Sequence, residues 1–96
     1  MLLIVTYDVE TAHASGAKRL RAVAKLCQKY GVRVQNSVFE IEANAAQLVE
    51  LKDKLRGIID QEQDSIRIYR MGNSWQNKIE VIGKTPIIQV GSEIIL

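Results

Sequence analysis

The sequence predicts an α+β fold: a four-stranded sheet with two helices on one face and a short strand appended at the C-terminus. Three observations predict it. The chain opens on an apolar run, Leu2-Leu3-Ile4-Val5-Thr6-Tyr7-Asp8-Val9, whose composition suits a strand covered on both faces. Two later segments repeat apolar side chains at helical spacing, and two others alternate with a period of two. The resulting order, β-α-β-β-α-β, is the split βαβ or ferredoxin-like arrangement. Right-handed crossovers place both helices on the same sheet face.

The first strand ends on a carboxylate, Asp8, and the polar loop Glu10 to Gly16 follows. Ser15 is the predicted N-cap of a helix over residues 16–30. Leu20, Val23, Ala24 and Cys27 fall on one stripe of that helix, extended by Ala17 and Tyr30, with Lys18, Arg21, Lys25 and Lys29 away from it. Gly31 is the stop. Val32 to Gln35 and Val38 to Ala43 read as a hairpin around Gln35-Asn36-Ser37. Asn44 and Gln47 form a capping-box pattern. Leu48, Leu51, Leu55 and Ile58 then line a second helix, in which Gly57 weakens the last turn. Asp60 to Asp64 is an acidic loop, and Ser65 to Met71 is the fourth strand. Gly72-Asn73-Ser74 is a turn, and residues 78–82 are predicted as a fifth, shorter strand. Pro86 makes residues 87–96 an edge strand or a tail.

A chain of 96 residues is expected to be one domain, with residues 78–96 as an extension. The first strand is apolar on both faces, Leu3 and Val5 on one, Leu2 and Ile4 on the other. The helices cover one face; the other is an expected interface. A homodimer packed through the open sheet faces follows, with residues 78–82 completing the partner's sheet edge.

The net charge of +2 is too small to imply nucleic acid, but its distribution is uneven. Residues 1–36 carry six bases against two acids, and residues 37–64 carry seven acids against three bases. The single cysteine, Cys27, excludes an internal disulfide and sits on the apolar stripe as core. The N-terminal run has no basic residues before it and is too short for a signal peptide or a membrane span. A soluble, cytoplasmic protein is expected. The sequence has no Gly-rich phosphate loop, CxxC pair or HExxH, which argues against a nucleotide-triphosphate enzyme or a zinc protein.

Tyr7-Asp8-Val9, Arg33-Val34-Gln35-Asn36-Ser37-Val38-Phe39-Glu40 and Asp64-Ser65-Ile66-Arg67-Ile68-Tyr69-Arg70 together resemble the small CRISPR-associated Cas-two family, partner of the Cas-one integrase in spacer acquisition. The resemblance covers essentially the whole chain. It implies a ferredoxin-like homodimer that binds nucleic acid, RNA or duplex DNA. In some members it implies a magnesium-dependent endonuclease, and in others a scaffold between integrase dimers. The family's metal-binding aspartate falls on Asp8 and its neighbouring tyrosine on Tyr7. Basic positions of the first helix fall on Arg19 or Arg21, and the hairpin positions on Arg33 and Phe39.

Asp8 is thus the expected metal ligand and catalytic residue, for Mg2+ or another divalent cation such as Mn2+. The competing reading is a strand-end turn residue. Lys18, Arg19, Arg21, Lys25 and Arg33 are the candidate nucleic-acid contacts, with Lys29 beside them; a solvated helix face is the alternative. Arg33, Arg67 and Arg70 could instead pair with Glu40, Glu42 or Glu80 across the sheet. Tyr7, Phe39 and Tyr69 are read as packing residues before base-stacking ones. His13 is read as a surface residue, and Trp75 has no assigned role.

Overall fold

Leu2–Asp8 form β1 of the computed structural model, which describes residues 1–72 and 74–84. Then come α1 (Ala14–Tyr30), β2 (Gly31–Gln35), β3 (Val38–Glu42), α2 (Ala45–Ile58), β4 (Ser65–Gly72) and one 3-10 turn, Trp75–Asn77. The sheet order is β2-β3-β1-β4, antiparallel throughout. This is the predicted ferredoxin-like order, with β1 inside the sheet.

Alternation along β1 sends Leu3, Val5 and Tyr7 to one face. There, with Val9, they meet Val23, Leu26 and Cys27 of α1, Phe39 and Ile41 of β3, and Leu48, Leu51 and Leu55 of α2. Burying each such side chain contributes about 1.5–3 kcal/mol. The opposite face carries the other residues of β1: Leu2, fully buried and in register with Glu42 and Gly72; Ile4, in register with Glu40 and Tyr69; Thr6, in register with Val38 and Arg67; and Asp8 at the strand end. Ile4, Thr6, Val38 and Glu40 are only half-buried, and neither helix covers them.

α2 begins as its sequence predicts. The Asn44 side chain accepts from the Gln47 amide at 2.8 Å, and the Gln47 side chain accepts from the Asn44 amide at 2.9 Å. α1 differs from expectation. It starts at Ala14, with His13 rather than Ser15 at the N-cap and no side-chain cap. The His13 carbonyl takes the Gly16 amide at 3.0 Å, and Gly16 packs directly on the Glu10 carbonyl. Close approach of the loop, not a hydroxyl, sets this helix start. Gly31 does end α1, but in extended backbone (φ −166°), where β3 passes within contact of it.

Residues 78–82 do not form the expected fifth strand. After Gly72, whose φ of 75° closes β4, the 3-10 turn carries the chain off the sheet, and Lys78 Nζ donates to the Met71 carbonyl at 3.0 Å. A strand needs a neighbouring edge, and residues 78–82 have none within the described residues. Val81 and Ile82 are exposed. The expectations for Asn73 and residues 85–96 lie outside the described residues.

Candidate functional site at the end of the first strand

Asp8 is the last residue of β1, in register with Ser65, the first residue of β4. Strand alternation puts it on the open sheet face with Ile4 and Thr6, and it is exposed. Its carboxylate makes no hydrogen bond or ion pair among the described residues, which sets it apart from a turn-closing aspartate. A hard, uncommitted carboxylate fits Mg2+ or Mn2+, ions that take one or two protein carboxylates with water and phosphate. Among the described residues no three His, Cys, Asp or Glu side chains converge as metal ligands. Asp8 is the candidate ligand that the strand end presents.

Tyr7 and Phe39 support this end of the sheet from the helix side, both buried. Their rings stack with centroids 6.1 Å apart, and the Tyr7 hydroxyl donates to the Asn36 carbonyl at 3.3 Å. Burial pushes the Tyr7 hydroxyl's pKa up, and the charge of Arg33 draws it part of the way back. Arg33 lies over the Phe39 ring, 5.3 Å from its centroid. Neither aromatic ring is open to stack on a base. Tyr69 is 48% exposed and could.

The loop after Asp8 is fastened by a residue that the sequence showed only as part of an acidic loop. The Asp64 side chain is fully buried at the start of β4. Its Oδ2 accepts from Arg19 Nε at 2.7 Å and from the Asp60 amide at 2.9 Å. Its Oδ1 accepts from Arg19 Nη2 at 3.2 Å and from the Glu10 amide at 3.0 Å. The Arg19 bond, with help from the two amides, holds the carboxyl down at about 2 despite burial. Arg19, expected among the nucleic-acid contacts, is thus directed inward, and the bond to Asp64 raises its own pKa.

The other expected contacts face water. Lys18, Arg21, Lys25 and Lys29 are exposed, and their i, i+3, i+7, i+11 spacing draws one stripe about 16 Å long on α1. Arg33 is exposed at the sheet edge. The cross-strand ion pairs offered as the alternative for Arg33, Arg67 and Arg70 do not form among the described residues. Glu42 instead binds the N-terminal ammonium at 2.8 Å, and Arg67 reaches the Tyr69 hydroxyl at 3.5 Å. His13 is exposed and Cys27 is core, its thiol pushed up to about 11 by burial. The Glu50–Lys54 pair expected from its i, i+4 spacing forms at 2.9 Å; sequence reasoning missed Tyr30 of α1, whose hydroxyl donates to Glu50 and accepts from Lys54 at 3.3 Å, joining the helices.

Residues 1–79 match the family model described as CRISPR associated protein Cas2. The chain belongs to the Cas2 family. It is 53% identical over 95 residues to the CRISPR-associated endonuclease Cas2 of Halalkalibacterium halodurans, covering 99% of each chain. The crystal structure of Streptococcus pyogenes Cas2 at pH 6.5 is similar at a TM-score of 0.78 and 53% identity, over 86% of this chain and 100% of that one. A partial Cas6-RT-Cas1–Cas2 complex contains a chain similar at a TM-score of 0.70 and 28% identity, over 99% and 98%. The Cas2 relationship agrees with the family resemblance and with the ferredoxin-like fold expected of it. Among the described residues, no helix is long and apolar enough to cross a membrane.

Proposed function

We propose that this Cas2-family chain acts in spacer acquisition as a homodimeric, divalent-metal-dependent endonuclease that hydrolyses phosphodiester bonds in RNA or duplex DNA. The observation that carries the reading is Asp8, an exposed and uncommitted carboxylate at the end of an inner strand. The endonuclease name of the Halalkalibacterium relative supports it.

Two copies meeting through their open sheet faces would bring Ile4, Thr6 and Val38 out of water and bring two Asp8 carboxylates to one interface. The exposed Val81 and Ile82 would add to the partner's β4 edge. The two Asp8 side chains would hold Mg2+ or Mn2+, which when bound polarises phosphate and lowers the pKa of water. Lys18, Arg21 and Lys25 would hold the nucleic-acid backbone without reading sequence.

A second reading is a non-catalytic adaptor that bridges Cas1 integrase dimers on DNA. The similarity to the Cas2 chain of the Cas1–Cas2 complex favours it. One experiment separates the two: wild type against Asp8→Asn on labelled RNA and duplex DNA, with Mg2+ and with chelator. The nuclease reading expects cleavage by wild type with Mg2+ only, and none by Asp8→Asn. Cleavage at the wild-type rate by Asp8→Asn would overturn it. A wild type that binds duplex and Cas1 without cleaving establishes the adaptor.

A further inference from the structure

We infer that Asp64 and Arg19 are positioning residues for Asp8, holding its carboxylate in place for the cation through the backbone on both sides of it. The inference rests on the reading of Asp8 as the metal-holding residue. Asp8 has no side-chain partner of its own among the described residues, so its position comes from its backbone. That backbone is fixed at two points. Asp8 pairs in register with Ser65, the residue next to Asp64. Two residues beyond Asp8, the Glu10 amide donates to Asp64 Oδ1 at 3.0 Å. Val9 between them is buried in the core.

Glu10 is also held from its other side, because Gly16 of α1 packs on its carbonyl with no room for a Cβ. Arg19 lies one helical turn beyond Gly16 and grips Asp64 with two nitrogens. The same carboxylate receives the Asp60 amide, which ties the loop after α2 into the arrangement. All four bonds converge on one buried carboxylate. Asp64→Asn keeps the size but turns an NH2 group toward two of the donors. Arg19→Lys keeps the charge but loses the two-nitrogen grip. Either change loosens the anchor that receives the Glu10 amide and lets the Asp8 carboxylate sample positions unsuited to a cation. Outer groups that orient a metal ligand are typically worth ten- to a hundredfold in affinity, and about tenfold is expected here.

The test is a Mg2+ titration of the full chain followed by the carboxyl carbon resonance of Asp8, with hydrogen exchange of the Glu10 amide measured beside it. Wild type, Asp64→Asn, Arg19→Lys and Leu51→Ala are compared. Leu51 is fully buried in the core and takes no part in the four bonds to Asp64, so its truncation lowers stability while leaving those bonds in place. The expected result is saturable binding by wild type and Leu51→Ala with equal affinity. Asp64→Asn and Arg19→Lys should bind about tenfold more weakly, with faster Glu10 exchange. If Asp64→Asn does not fold, Arg19→Lys carries the comparison. Wild-type affinity and exchange in the folded variants would overturn the positioning role. Equal weakening in Leu51→Ala would also overturn it, by reducing the effect to stability. A wild type whose Asp8 resonance ignores Mg2+ would instead overturn the Asp8 reading, and this inference with it.

Discussion

Arg19 and Asp64, 45 residues apart, meet in a two-pronged ion pair, Nε to Oδ2 at 2.7 Å and Nη2 to Oδ1 at 3.2 Å. The Asp64 side chain is out of water while the Arg19 side chain keeps 17% of its surface exposed. Removing the charge of one partner of such a pair strands the other. Asp64→Asn should therefore cost about 3 kcal/mol, the low end for buried pairs because Arg19 still reaches solvent. Urea denaturation at neutral pH measures it.

The same pair sets an acid limb. The Asp64 carboxyl titrates at about 2 in the fold against an ordinary value of 3.8. Between those values the unfolded chain takes up a proton that the folded chain refuses. The contribution of Asp64 is thus fully present above about pH 4 and is lost as pH falls toward about 2. The urea midpoint of wild type should fall more steeply over that window than that of Asp64→Asn. Parallel slopes would show that other carboxylates govern acid unfolding.

Two glycines should respond to alanine with opposite sign. At Gly31 a Cβ would meet the Glu40 carbonyl and lie 2.7 Å from Ile41 Cγ1, so β3 would have to shift. Its extended φ suits any residue, so the defect is purely steric, and about 2 kcal/mol of destabilisation is expected for Gly31→Ala. At Gly57, in the last turn of α2, a Cβ would have nothing within 4 Å of it. Gly57→Ala should stabilise by about 0.5–1 kcal/mol. Thermal melts of the two variants would show the contrast directly.

The four strands of the sheet, both helices and the place of Asp8 at a strand end were legible because each announces itself locally, by alternation, by helical spacing or by position. The Asn44–Gln47 capping box is equally local. Asp64 was not legible in that way, since one acid among Asp60, Glu62 and Asp64 looks like a solvated loop. A signal did exist one level up. The ferredoxin-like order puts β4 beside β1, so the residue before β4 must lie near the end of β1 and the start of α1. The bond of Arg19 to Asp64 was hidden for the same reason, its partner being distant in sequence. The strand expected at 78–82 had the right local pattern, but pairing depends on an edge that one chain does not bring to it.

Phosphate contacts and structural bases separate by salt. If the α1 stripe binds nucleic acid, replacing Lys18, Arg21 and Lys25 by alanine should flatten the dependence of log affinity on log salt by about 0.9 per lost contact on duplex, or about 0.7 on single strands. Unrelated sequences should weaken alike, and the melting temperature should barely move, since all three side chains are exposed. Arg19→Ala should do the reverse, lowering the melting temperature through Asp64. An unchanged slope in the triple variant would place the binding surface elsewhere.

The open sheet face makes the last prediction. Ile4 sits at its centre between Glu40 and Tyr69, half-buried in a single chain, and burial already pushes the Glu40 carboxyl's pKa up. A second copy laid on this face would bury Ile4, Thr6 and Val38, and a stable interface of about 1,200–2,000 Å2 in total is the usual size. Ile4→Lys puts a charge at that centre, while in one chain the lysine can extend to water along the face. Sedimentation at micromolar concentration should show a dimer for wild type and a folded monomer for Ile4→Lys. The consequence for Asp8 follows from ligand number. If the cation is held between the two Asp8 carboxylates of a dimer, the Ile4→Lys monomer should lose most of its Mg2+ affinity with Asp8 itself untouched. A wild type that sediments as a monomer would remove the dimer. A monomeric Ile4→Lys that still binds Mg2+ as tightly as wild type would show that one Asp8 suffices.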